Sequence, residues 1–172
     1  MNKIIFLTIT TLFAISGFAQ KEKDEQALRA IVSTIESSWN NKSGQAFASV
    51  FADVHDYIVV NGLYFPGFTR QGNATAHQSL FDGVYKSRNV TMKVDKVQFV
   101  RPDLAMIHAL AATYDIGTSV PADPGAIMTI LAEKQKDGWK IISFHNHELN
   151  PDLKQKRPMP LNVMFASWYG KK

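Results

Sequence analysis

No cysteine occurs among the 172 residues. That excludes a disulfide framework, a thiol nucleophile, a zinc–thiolate site and a lipidated cysteine tether, so the apolar core alone must hold the fold. Charge of one sign is scarce too: 19 Lys and Arg against 15 Asp and Glu leave a formal +4. So small an excess, with no basic-aromatic stripe, points away from nucleic acid as a partner. Neither a Gly-rich phosphate cradle, a serine nucleophile elbow nor an HExxH zinc helix is present, and no cofactor is expected. Internal repeats and low-complexity tracts are missing as well, and 45% apolar with 20% charged residues fits one ordinary globular domain.

The sequence does hold one apolar run, at its start. Lys3 precedes an Ile4 to Ile15 stretch broken only by threonines, and Gly17-Phe18-Ala19 offers small residues for cleavage. This reads as a secretory signal removed after Ala19, well short of the roughly 20 residues a membrane-spanning helix needs. The chain therefore divides into a signal (1–19), a folded domain (20–150) and a tail (151–172) with Leu161, Met164, Phe165 and Trp168 on one side of a short amphipathic segment. Cleavage removes Lys3 and leaves +3. The mature protein is expected in the periplasm or the medium, without stable membrane insertion.

Leu28, Ile31, Val32, Ile35 and Trp39 share one helical face between Asp24 and Asn40. Ala46, Phe47, Val50 and Phe51 stripe a second short helix that Ser43 would cap. Tyr57 to Val60 reads as a strand, and 61–72, with Gly62, Pro66, Gly67 and Gly72, as an irregular loop. A third helix presents His77, Leu80, Phe81 and Val84 on its apolar face. Val90, Met92 and Val94 alternate on even numbers while Val97 and Phe99 alternate on odd ones, which predicts a bulge near Asp95-Lys96. Strands over 104–116 and 126–135 read as central. Asp137-Gly138 predicts a two-residue hairpin link, which would pair Lys136 with Trp139, Ile130 with His145 and Met128 with His147. Trp39 and Trp139 are expected in the core and His55 at the surface. Helices followed by a bulged antiparallel meander predict an α+β fold, a cone-shaped curved sheet packed on N-terminal helices around an interior.

Four segments in order, FADVHDYIVVNG (51–62), GNATAHQSLF (72–81), VRPDLAMIHA (100–109) and DGWKIISFHNHELNP (137–151), resemble the nuclear transport factor 2-like superfamily, in its SnoaL-like, SgcJ/EcaC-type branch. The resemblance implies a cystatin-like roll, a pocket between helices and concave sheet, and dimerisation through the sheet, so a homodimer is expected. It implies no single chemistry, because the superfamily holds isomerase-like enzymes, polyketide cyclases, dehydratases and noncatalytic adaptors. It also singles out His77, Arg70 and the stretch from Phe144 to His147. Where the branch often has Gln and Thr beside the Asn, this chain has His145 and His147 flanking Asn146.

Two apart on a strand, His145 and His147 should leave one face ~7 Å apart. On a concave face they could act as an acid and base pair, since imidazole titrates near neutrality. The plainer reading is a hydrogen-bonded polar mouth without turnover. A metal reading would add a third ligand from His77, His108, Asp56 or Glu148. Asp56, Tyr57, Asn61, Tyr64, Arg70 and Tyr114 are candidates to line the mouth, with Asn146 and His108 as further ligand-binding candidates. Arg70 would orient a carboxylate through its planar fork, and the tyrosines would donate to a carbonyl or enolate. Three functions stay open. One is an exported pocket protein for a small, partly apolar molecule, with cofactor-free acid–base chemistry carried by His145, His147 and His77. The others are a noncatalytic ligand-binding or assembly module and a metal-dependent enzyme built on the histidine pair.

Overall fold

The structure, a computed structural model, describes residues 3–149. The amphipathic stripe expected in the tail lies outside the described residues. Helix α1 spans Lys3–Asn40, running unbroken from the expected signal into the helix expected from Asp24. Its inward stripe of Leu28, Ile31, Val32 and Ile35 is 0–4% exposed, and each such side chain contributes about 1.5–3 kcal/mol by leaving water. One turn earlier Asp24 is buried as well. Its carboxylate meets Lys134 Nζ at 2.7 Å and accepts from Trp139 Nε1 at 3.0 Å, which ties the helix to the sheet.

Helix α2 (Gly44–Ala48) starts at the expected cap, with Ser43 Oγ accepting from the Ala46 N–H at 3.2 Å. It stops short of Val50 and Phe51, the far end of the expected stripe. The Val50 carbonyl accepts instead from the Ile141 N–H, and Phe51 opens strand β1 (Phe51–Ile58). The segment expected to be a loop contains strand β2 (Tyr64–Thr69), antiparallel to β1. Pro66 and Gly67 are tolerated there because β2 lies at the edge of the sheet. The Asp56 carboxylate accepts the Gly67 N–H at 2.9 Å, where the glycine takes φ +60.

Helix α3 (Arg70–Asp82) follows directly, with Thr69 Oγ1 accepting from Gly72 N. It buries Asn73, Ala74, His77 and Phe81. Leu80 and Val84, placed on its apolar face by periodicity, are 38% and 70% exposed. The helix is rotated so that polar Asn73 reaches His55, which is 3% exposed rather than at the surface.

Strands β3 (Arg88–Arg101), β4 (Leu104–Asp115), β5 (Ala126–Gln135) and β6 (Gly138–Glu148) complete a six-stranded sheet in the order β2-β1-β6-β5-β4-β3. β4 and β5 are interior, as expected, and the register of β3 slips between Val94 and Lys96 where a bulge was predicted. The sheet is mixed rather than a pure antiparallel meander, because β1 joins β6 in parallel. The α+β fold class stands: helices cover one face of the sheet, and Ile107, Met128, Ile130, Ile141 and Phe144 fill the space between.

The β5–β6 register corrects the sequence reading. The hairpin loop is Lys136-Asp137, with Gln135 opposite Gly138 and the glycine at φ +113. That displacement alone would keep side-chain parity. Parity is reversed by one extra residue, Ile142, between the pairs Ala132↔Ile141 and Leu131↔Ser143. Ile130 consequently faces Phe144 rather than His145, and Met128 faces Asn146 rather than His147.

Candidate functional site

A cavity of about 730 Å³ opens between α3, the end of α1 and the β1–β2 side of the sheet, within the usual size range of small-molecule sites. Its walls are aromatic, with Trp39, Tyr57, Phe65, Phe68 and Tyr85, and Val60, Leu63 and Leu80 add apolar surface. A few polar side chains converge on it, among them Gln71, Thr75, His77 and Asn146. No Asp, Glu, Lys or Arg lines it among the described residues.

His77 projects from α3 because Asn73, one turn earlier, turns the same face inward. The His77 ring stacks on Phe47, with centroids 3.8 Å apart and planes at 20°. Its Nδ1 lies 3.1 Å from the Asn73 carbonyl, which can only accept, so Nδ1 carries the proton. Nε2 is then the acceptor for the Tyr57 hydroxyl at 3.3 Å. Burial pulls the His77 imidazole down to about 4, against the opposing pull of the Asn73 carbonyl. Burial likewise pushes the Tyr57 phenol well above its ordinary range. At neutral pH the pair is therefore an uncharged donor and acceptor.

Behind it, His55 Nδ1 donates to the Ala52 carbonyl at 3.0 Å, and Asn73 Nδ2 donates to His55 Nε2 at 2.8 Å. Burial lowers His55 as well. This network fixes the roll of α3 against β1, and so the direction of His77. Trp39 and Asn146, both lining residues, each carry one buried polar atom, Nε1 and Oδ1, with no hydrogen-bond partner among the described residues.

Of the residues singled out from sequence, the cavity brings together Tyr57, His77 and Asn146. His145 and His147 are not with them. The Ile142 bulge turns both to the face of the sheet away from the helices, where their rings stand 4.1 Å apart. His108 lies on that same outer face, in the row His108↔Thr129↔His145. Tyr114, of the same strand parity, follows it. Burial and the neighbouring His147 charge lower His145. Arg70 does not reach the cavity to orient a carboxylate. Its Nε donates to the Phe51 carbonyl at 2.9 Å and its guanidinium pairs with Asp53 at 2.8 Å. Tyr64 is half exposed and donates to Asp56 at 3.2 Å, while the exposed Asn61 accepts the Leu63 N–H at 3.1 Å. No three His, Asp or Glu side chains gather as metal ligands among the described residues, so the third ligand that the metal reading requires is not brought to the pair.

Sequence reasoning passed over Phe65, Phe68, Gln71, Thr75 and Tyr85, and it assigned Trp39 to the core. The aromatic pairs within the presumed loop were the available signal, since Phe65 and Phe68 stack at 5.1 Å.

A helix layer over one face of a six-stranded mixed sheet, with a pocket between them, defines a protein of nuclear transport factor 2-like, cystatin-like fold. A domain of unknown function with a cystatin-like fold from Nostoc punctiforme is 30% identical over 78% of this chain and 82% of its own, with a TM-score of 0.70. The chain belongs to the family of that domain. An NTF2-like protein of unknown function from Shewanella oneidensis matches at 16% identity, 72% and 98% coverage and TM-score 0.60. A candidate dehydratase of the NTF2-like family from Streptomyces avermitilis matches at 12% identity, 76% and 99% coverage and TM-score 0.59. These two show the fold alone. No family model and no curated protein matches the sequence.

Proposed function

We propose that the chain is an exported pocket protein of the SnoaL-like branch that holds one small, partly apolar molecule in the cavity bounded by Tyr57, His77 and Asn146. The observation that carries this reading is the aromatic-walled space of about 730 Å³ with a handful of convergent polar groups, the usual anatomy of a ligand site. Export is supported by the Lys3, Ile4 to Ile15 and Gly17-Phe18-Ala19 pattern of a cleaved secretory signal. Among the described residues no helix is long and apolar enough to cross a membrane. The outer sheet face, where Met106, Ile127 and Leu131 are half-buried, packs on a second copy in the proposed homodimer.

Mass spectrometry of small molecules carried through native purification tests the reading. A bound compound is expected from the native chain and not from Ala76→Trp, which fills the cavity; equal recovery from both would overturn it. Turnover is a second reading, favoured by the Tyr57–His77 pair on the cavity wall and by the candidate dehydratase among the structural neighbours. In that case His77 would accept a proton at Nε2 while Tyr57 donates to a developing oxyanion. A buried imidazole near 4 is a weak base, so binding stands first.

A further inference from the structure

Cleavage after Ala19 would leave Gln20 as the first residue. An amino-terminal glutamine carries its own electrophile, because its α-nitrogen can reach its side-chain amide carbon and close a lactam ring. Residues 20–23 are all exposed, so nothing buries that terminus or the amide. Among the described residues the Gln20 amide has one hydrogen bond, donated from Nε2 to Asp24 Oδ2 at 3.1 Å.

Asp24 does not depend on that bond. Its buried carboxylate keeps Lys134 Nζ at 2.7 Å and the Trp139 indole N–H at 3.0 Å. The amide can therefore react without opening the junction between α1 and the β5–β6 hairpin. A groove of about 440 Å³ beside Gln20, bounded also by Phe99, Arg101 and Pro102, leaves room for a compact ring. Helix α1 turns the positive end of its dipole toward the terminus, where a cation is disfavoured. An α-amino group titrates at about 7.7–8.0, so part of it is uncharged amine at neutral pH. That amine is the nucleophile.

Resting on the export reading above, we propose that Gln20 is a modification site at which the mature chain closes to an amino-terminal pyroglutamyl lactam. The α-nitrogen attacks Cδ, and the bond from Cδ to Nε2 breaks as the bond from Cδ to the α-nitrogen forms. One amine proton passes to the leaving nitrogen, which departs as ammonia; no oxidant or other co-reactant is consumed. The product has neither an α-ammonium nor the amide donor to Asp24. The lactam protects the Asp24 junction. Aminopeptidases engage a free α-amine, and trimming of residues 20–24 would take Asp24 away. The exposed stretch 20–23 has no packing to resist this, whereas a ring at the terminus gives the peptidase no amine to hold.

Intact-mass measurement and fragmentation of the full mature chain, collected from the cells that produce it, test this. The expected mass is that of residues 20–172 less about 17 Da for ammonia, with the loss placed on residue 20. Gln20→Ala cannot close the ring and should show its full mass. Incubated with a broad-specificity aminopeptidase, the native chain should keep Asp24 and Gln20→Ala should lose it. Equal resistance of the two chains would overturn the protective role. A chain that starts at Gln20 with its full mass would overturn the modification while leaving export in place, and so would cleavage at a neighbouring residue. A chain from the same cells that still starts at Met1 would instead remove the export reading itself.

Discussion

His77 shows how one side chain can report on a site. Its imidazole is buried, and its folded value of about 4 lies below the ordinary 6.5. A group with a depressed folded pKa contributes its stability above the unfolded value and loses it as pH falls towards the folded one. Thermal or denaturant unfolding should therefore show stability declining as pH falls from about 6.5 to about 4, by on the order of 3 kcal/mol. His77→Gln should flatten that slope, leaving the smaller share expected from His55. An unchanged slope would show that His77 is accessible to solvent. At the same scale, His145→Ala and His147→Ala are expected to leave cavity binding within about twofold of the native chain, as surface changes usually do. Asn146→Leu, between them, should weaken it. A loss in either histidine variant would contradict the parity of β6. Asn146 was legible from the sequence as a position of interest. Its neighbours were legible too, but not which of the three would point inward.

At the scale of elements, packing between helices is tight where α2 crosses α3. A Cβ on Gly44 would run into the Ala74 carbonyl and come within 2.7 Å of Gln78 N. Both are backbone atoms of α3, which cannot turn aside as a side-chain tip would. Gly44→Ala is therefore expected to destabilise the protein by about 2 kcal/mol or more, measured as a lowered denaturant midpoint. A neutral result would mean that α2 and α3 can separate at little cost. Legibility at this scale divided by environment. Helix α1, the bulge in β3 and the central strands β4 and β5 could be read directly, because each carries enough apolar residues for its period to show. Strand β2 could not: Pro66 and Gly67 are loop signals in general and acceptable only in an edge strand, and edge position depends on which strands pair. The β6 bulge had no marker, since Ile142 is as good a strand residue as its neighbours.

For the whole molecule, Asp24 links the first helix to the last hairpin. Burial pushes its carboxyl upward, but the hydrogen bonds from Lys134, Trp139 and Gln20 together outweigh this and hold it below the ordinary 3.8. Its contribution is present above that ordinary value and lost as pH falls through the lowered one. Asp24→Asn should cost about 1–3 kcal/mol at neutral pH by leaving the half-exposed Lys134 and the Trp139 N–H poorly matched. It should also remove the part of the acid denaturation lying below the ordinary carboxylate range. A variant as stable as the native chain would reduce this link to a surface ion pair. Assembly belongs to this scale as well. Light scattering on the mature protein is expected to give a dimer, and Leu131→Glu, on the outer sheet face, a monomer that still binds in the cavity. A native monomer would leave that face without a partner.

The sequence by itself determined the class of fold, the inward face of α1 and the strands at the centre of the sheet, because periodicity records how each segment meets water; His77 and Asn146 were residues of interest through the family resemblance, and Tyr57 as a candidate for the pocket mouth. Tertiary structure alone decided that His145 and His147 face outward, that β1 runs parallel to β6, that Arg70 is spent on Phe51 and Asp53, and that Trp39 borders a cavity. Each of these turns on a partner distant in the chain. A single unpaired residue in β6 reverses every side chain beyond it, and nothing in the local pattern of apolar and polar residues marks where that residue will fall.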